Sequence, residues 1–206
     1  MIDHLIFDFD GTISDSYPIF VRIMREICED KGWEINRTDE QLLKKLKINV
    51  RACWEDLGYS PLETRDLFWQ YQVKYCKDYR AFPAVQPLLE KAVSLGKKNY
   101  VYTHSPDVVL DILKNMGLDG YFTDVITSSY GFPAKPAPDA LQFLCQKHSL
   151  DPARCMMIGD RPIDTQAGHN AGMIGCLWDA FGEYPDEEVE YKIQRLEELT
   201  ELLETV

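Results

Sequence analysis

From residue 99 onward, short apolar runs alternate with segments whose apolar residues fall at helical spacing. That alternation leaves the chain very few architectures. The runs are "NYVYT" (99–103), "DVITSS" (124–129), "CMMIGD" (155–160) and "IGCLWD" (174–179), each read as a buried strand. Between them lie "PDVVLDILKNMG", "PDALQFLCQKHS" and "RPIDTQAGHNAG". Pro106 and Pro162 suit a first helical turn, and Gly117 and Gly172 suit a stop just past the last. A strand–helix–strand repeat makes parallel strands, because the helix carries the chain back over the sheet. With Leu5, Ile6 and Phe7 as an opening strand, the chain is expected to be α/β: a parallel sheet with helices on both faces.

Residues 15–83 depart from this pattern. "SYPIFVRIMREICEDKG" carries Ile19, Phe20, Ile23, Met24 and Ile27 as a helical stripe ended by Gly32. Thr38 and Gln41 form a capping-box pattern before Leu42, Leu43 and Leu46, and Ser60 with Glu63 repeats it before "LETRDLFWQYQVKYCKDY". The expected organisation is a core built from 1–14 and 84–206 with an all-helical insertion at 15–83. The tail "LEELTELLETV" reads as one more helix with a solvated acidic face.

The formal charge of −12 and the absence of a Lys/Arg stripe with interleaved aromatics argue against nucleic acid as a partner. No apolar run is long enough to span a bilayer, and "MIDHLIFDFD" lacks the basic start of a signal peptide. A cytoplasmic protein, monomeric or weakly dimeric, is the expectation. The six cysteines are widely spaced with no Cys-x-x-Cys, so neither a disulfide framework nor a zinc site is anticipated.

In an open parallel sheet, ligands bind beyond the carboxyl ends of the strands. There the sequence places Asp8 and Asp10 after the first strand and Thr103, His104 and Ser105 after "NYVY". Lys135 follows "DVITSS", and Asp160 and Asp164 follow "MMIG". Two carboxylates about 4 Å apart repel by ~4 kcal/mol at an effective dielectric near 20. The Asp8–Asp10 pair therefore needs a compensating cation. An aspartate that caps the next helix is the bland alternative for the pair, and a solvated loop lysine is the alternative for Lys135.

"DFDGTISDS", "YTHS", "KPAPDAL" and "GDRPIDTQAGHNAGM" together resemble, in order, spacing and strand placement, the four motifs of the haloacid dehalogenase-like superfamily. The resemblance covers the whole chain and is nearest to the phosphoglycolate phosphatase-like branch, whose insertion after the first strand is an α-helical cap. It implies a Rossmann-like core, Mg²⁺ and a small-molecule phosphate ester as partner. Under it, Asp8 would be the nucleophile that takes up phosphorus, and Asp10 the general acid and then base. Gly11 would let the backbone turn, and Thr12 would brace that turn. Thr103 and His104 would bind phosphate, His104 through its side chain or only its backbone N–H, and Lys135 would add a fixed positive charge. Asp8, the Asp10 carbonyl and Asp160 would hold the metal, with Asp164 orienting its waters.

The resemblance leaves phosphatase and sugar-phosphate mutase open, and a silent phosphate-binding module is a further alternative. A receiver-type switch would carry its aspartate after a middle strand and no helical insertion. Arg51, Lys44, Lys45 and Lys47 in the insertion read as a solvated face, the alternative being that they read a substrate's carboxylate or second phosphate. Trp33, Trp54, Trp69, Tyr71 and Tyr75 read as that unit's own core.

Overall fold

The computed structural model describes residues 1–206. Its elements in chain order begin with β1 (His4–Phe7), α1 (Tyr17–Lys31), α2 (Asp39–Leu46), α3 (Val50–Asp56), α4 (Pro61–Lys74) and α5 (Val85–Ser94). They continue with β2 (Lys98–Tyr102), α6 (Val108–Asn115), β3 (Phe122–Ile126), α7 (Asp139–His148) and β4 (Cys155–Gly159). The chain ends with α8 (Pro162–Asn170), β5 (Ile174–Trp178), β6 (Tyr191–Ile193) and α9 (Leu196–Leu202). It divides into two compact units, Met1–Ser14 with Ala81–Val206, and Asp15–Arg80.

The first unit is a six-stranded sheet in the order β3-β2-β1-β4-β5-β6. Every pairing in it is parallel. Phe7 lies opposite Val101 on one side and Ile158 on the other, so β1 is the strand from which the order runs outward both ways. That is the switch point where an α/β sheet opens a crevice. Ile6, Tyr100, Tyr102 and Met157 point to one face, where they pack with Leu141 and Leu144 of α7 and Ala167 of α8. The alternate residues Leu5, Phe7, Val101 and Ile158 are equally buried, so the other face is covered too. Each such side chain contributes roughly 1.5–3 kcal/mol by leaving water.

Three expectations shift. The strand expected at 124–129 starts two residues earlier, and Ser128–Tyr130 wind into a 3₁₀ turn. Gly131 ends that turn at φ +74°, so the chain leaves the sheet before Lys135. Residues 81–83 group with the sheet unit rather than the helical one. Ser14 bridges Ala81 there, and Phe82 N–H donates to Ile13 C=O. Ser60 precedes α4 but makes no side-chain cap; Thr64 Oγ1 donates to the Ser60 carbonyl instead.

In the second unit, α1 buries Phe20, Ile23, Met24 and Ile27 and packs on α2 and α4. Gly32 ends it in the left-handed conformation. The Thr38–Gln41 box closes in both directions and starts α2. Trp54 is buried, and Trp33 stacks on Tyr59 with ring centroids 4.4 Å apart. Arg51 pairs with Glu55 and Lys45 with Asp56 on this unit's surface. No helix of the chain is long and apolar enough to cross a membrane, and all six cysteines are free.

Candidate active site

β1 is still hydrogen-bonded as it ends, with Asp8 N–H on the Ile158 carbonyl at 2.8 Å. Asp8 therefore leaves the last rung of the sheet with its side chain 2% exposed. The chain then turns sharply. Gly11 takes φ +83°, a conformation costly for any residue with a Cβ, and its N–H bonds the Ser14 carbonyl. Ile13 and Ser14 N–H both bond the Phe9 carbonyl. The backbone alone closes this turn. The brace expected from Thr12 is not made, since its buried hydroxyl has no hydrogen-bond partner.

Lys135 comes in from the loop after β3, and its side chain is fully buried. Its three ammonium protons are all used: on Asp8 Oδ1 at 2.6 Å, Asp164 Oδ1 at 2.8 Å and the Tyr102 carbonyl at 2.9 Å. Burial alone would favour the neutral amine, but Asp164 and Asp8 outweigh it and hold the group charged above its ordinary range. Asp164 is fully buried at the start of α8. Its other oxygen accepts the Arg161 backbone N–H at 3.2 Å, tying the start of α8 to the lysine. Burial works against its charge, but Lys135 and Arg161 prevail and its carboxyl lies below the usual range. The close approach of Asp164 to β4 requires Gly159, where a Cβ would sit 2.3 Å from Asp164 Cβ.

Asp8 responds the other way. Burial raises it to about 6, and Lys135 offsets only part of that. The unequal response of two carboxylates on one lysine follows from their partners. Asp164 has both oxygens hydrogen-bonded, whereas Asp8 Oδ2 carries no hydrogen bond.

Three consecutive residues after β2 hold three different things. Thr103 Oγ1 accepts the Ser105 N–H at 3.0 Å, which leaves the threonine hydroxyl proton free to donate. His104 Nε2 accepts the Lys135 backbone N–H at 2.9 Å, so its side chain faces the lysine loop. Burial, with Lys135 and Arg161 nearby, drives His104 down to about 3 and keeps it neutral, in keeping with an accepting nitrogen. Ser105 Oγ donates to Asp10 Oδ2 at 2.6 Å. The sequence put Ser105 at the strand end without a role, and did not see His104 reaching Lys135.

One carboxylate oxygen each from Asp8, Asp160 and Asp164 lies within 4.8 Å of the others. An octahedral Mg²⁺ shell is about 4.2 Å across, so the cluster is of a size to take that ion on Asp8 and Asp160, with Asp164, whose oxygens are both hydrogen-bonded, beside them. The buried Asp8 Oδ2 without a hydrogen bond is the oxygen left to bind it. The carboxylate of Asp10 is turned to Ser105.

Two residues near the cluster, Arg161 and Tyr184, were not foreseen. Arg161 places its guanidinium beside all three carboxylates, 3.8 Å from Asp160 and 4.0 Å from Asp8 and Asp164. After β5, the Asp179 carboxylate accepts the N–H groups of Glu183 and Tyr184 at 2.7 and 3.0 Å. Burial, with Asp160 next, pushes the Tyr184 phenol up to about 12, so it stays protonated.

Comparison with known proteins decides the family. The haloacid dehalogenase-like hydrolase model matches residues 5–177. The chain belongs to that family. It is 29% identical over 182 residues to a phosphoglycolate phosphatase of Vibrio vulnificus, covering 82% of this chain and 79% of that one. It is 25% identical over 214 residues to the pyrophosphatase PpaX of Listeria innocua, covering 100% and 96%. Among solved structures, a subfamily IA hydrolase of this superfamily from Geobacter sulfurreducens superposes with a TM-score of 0.77 at 20% identity. That match covers 98% of this chain and 100% of the other, and it is a likeness of fold.

Proposed function

We propose that this phosphatase hydrolyses a small-molecule phosphate monoester, with Mg²⁺, through an aspartyl-phosphate on Asp8. The observation that carries the reading is the Asp8 carboxylate itself. One of its oxygens is fixed by Lys135 at 2.6 Å and the other is buried with no hydrogen bond. A nucleophilic carboxylate needs such a setting: held in place, stripped of water and not fully neutralised by donors.

Asp8, Asp160 and the Asp10 carbonyl would hold the ion. When bound, Mg²⁺ would draw charge from the phosphoryl oxygens and reduce their repulsion from the carboxylates. This chain's residues do the rest. Lys135 fixes Asp8 and faces the incoming phosphoryl group with positive charge. The Thr103 hydroxyl and the backbone N–H of His104 bind its oxygens, while the His104 imidazole holds the lysine loop in register. Asp10, aimed by Ser105, gives a proton to the leaving oxygen and later takes one from the attacking water. Asp164 braces Lys135 against the start of α8.

The direct test is phosphate release from an aryl phosphate, then from phosphoglycolate, pyrophosphate and sugar phosphates. Each is assayed with Mg²⁺ and with excess EDTA. Turnover that collapses in EDTA and returns with Mg²⁺ supports the reading; equal rates in both would overturn it. Ser105→Ala tests the aim of Asp10. Loss of one 2.6 Å contact should lower kcat by about tenfold while KM moves little. Ser105→Thr should restore much of the rate, and an unchanged kcat in the alanine variant would remove Ser105 from this role.

A further inference from the structure

Lys135 cannot serve the whole acidic cluster. A lysine has three donors, and these are spent on Asp8 Oδ1, Asp164 Oδ1 and the Tyr102 carbonyl. Asp8 Oδ2 and Asp160 therefore face a different cation, the Arg161 guanidinium. Its Nη2 lies 4.0 Å from Asp8 Oδ2, and its Nε lies 3.8 Å from Asp160 Oδ1 and 4.0 Å from Asp164 Oδ2. These are the same three carboxylates whose oxygens gather within 4.8 Å of one another.

We propose that Arg161 is an internal competitor of the divalent cation: its guanidinium neutralises the Asp8–Asp160–Asp164 cluster in the metal-free protein, and the ion binds only as that side chain gives way. The inference rests on the Mg²⁺ reading above. Its basis is geometric. A divalent ion would draw oxygens of this cluster to about 2.1 Å, while the guanidinium stands 3.8–4.0 Å from the same carboxylates. A divalent ion and a guanidinium that share the same carboxylates, two of them buried, repel each other.

The arginine contacts suit a displaceable guest. At 3.8–4.0 Å they are attractions between charges rather than hydrogen bonds, so they depend little on direction. The backbone of Arg161 is tethered separately through its N–H to Asp164 Oδ2, and Pro162 opens α8 directly after it. A change in the side chain's position therefore need not unseat the start of the helix. Its 13% exposure leaves it a way out towards solvent. Without such a residue, the metal-free protein would hold three carboxylates against a single buried ammonium.

Calorimetric titration with Mn²⁺ tests this without any turnover, using wild type, Arg161→Gln and Arg161→Lys. Removing the competing charge should tighten Mn²⁺ binding by about tenfold in Arg161→Gln. Arg161→Lys, which keeps a charge, should stay near wild type. In EDTA, Arg161→Gln should melt below wild type, and saturating Mg²⁺ should close that gap. Equal or weaker Mn²⁺ binding by Arg161→Gln, with wild type binding normally, would overturn the competition and leave the Mg²⁺ reading standing. No Mn²⁺ binding by any of the three would overturn the Mg²⁺ reading, and this inference with it.

Discussion

Asp8→Asn should stop phosphate release almost completely, with a fall in kcat of about 10⁴-fold or more, while the protein stays folded. An amide oxygen does not replace a carboxylate as nucleophile. The substitution keeps the shape of the side chain, and its oxygen can still accept from Lys135. The lysine also retains Asp164 Oδ1 and the Tyr102 carbonyl, so it has no reason to move. Stability should even rise at neutral pH. Burial places Asp8 at about 6, above its unfolded value, so the native state holds that proton more tightly than the unfolded chain. Native stability then falls as pH climbs through the interval from about 4 to about 6, and ionised Asp8 works against the fold above it. In EDTA, Asp8→Asn should therefore melt above wild type at pH 7.5 and lose that advantage near pH 4. Wild-type turnover would remove Asp8 as nucleophile, and a melting point well below wild type at pH 7.5 would contradict the electrostatic account.

The parts of this molecule that were legible in the sequence are those set by neighbours along the chain. The Thr38–Gln41 box and the stop at Gly32 are local chemistry, and both formed as read. Strand–helix alternation set Asp8, Thr103, Lys135 and Asp160 at the ends of strands that turn out to be adjacent, because parallel pairing leaves few other arrangements. What stayed hidden is of two kinds. Tyr191–Ile193 makes a three-residue strand, too short for any periodicity to show, and α3 starts from an Asn49 cap with little apolar pattern behind it. The other kind is contact across the sequence. Ser105 meets Asp10 across 95 positions, and His104 meets the Lys135 backbone across 31. Arg161 received no role from the sequence; its importance depends on Asp8 arriving from a different strand. The only usable signal was an arginine flanked by Asp160 and Asp164 in a segment otherwise expected to gather negative charge.

Lys135→Ala should damage the protein in two measurable ways. The ammonium is the one group that bonds both Asp8 and Asp164, which are 2% and 0% exposed. Taking away one member of a buried ion pair costs about 3–5 kcal/mol, since the partner charge is left without compensation. Here two carboxylates lose their hydrogen-bonded cation at once, with only the Arg161 guanidinium left 4.0 Å from each. The lysine's folded-state value is raised by Asp164 and Asp8 despite burial, so its contribution is fully present at neutral pH and fades only as pH rises through that elevated value. The alanine variant should accordingly show its deficit in urea unfolding at pH 7.5. Towards pH 5 the deficit should shrink, as the stranded carboxylates take up protons. Turnover should fall by about 10²–10³-fold with the loss of a preorganised charge at the phosphoryl site. The double variant with Asp8→Asn separates this account from simple loss of packing. With one stranded charge already removed, the lysine substitution should cost clearly less than it does in wild type. Strictly additive losses in that cycle would mean that Lys135 fills space here rather than balancing charge, and would leave the proposed phosphoryl site without its fixed cation.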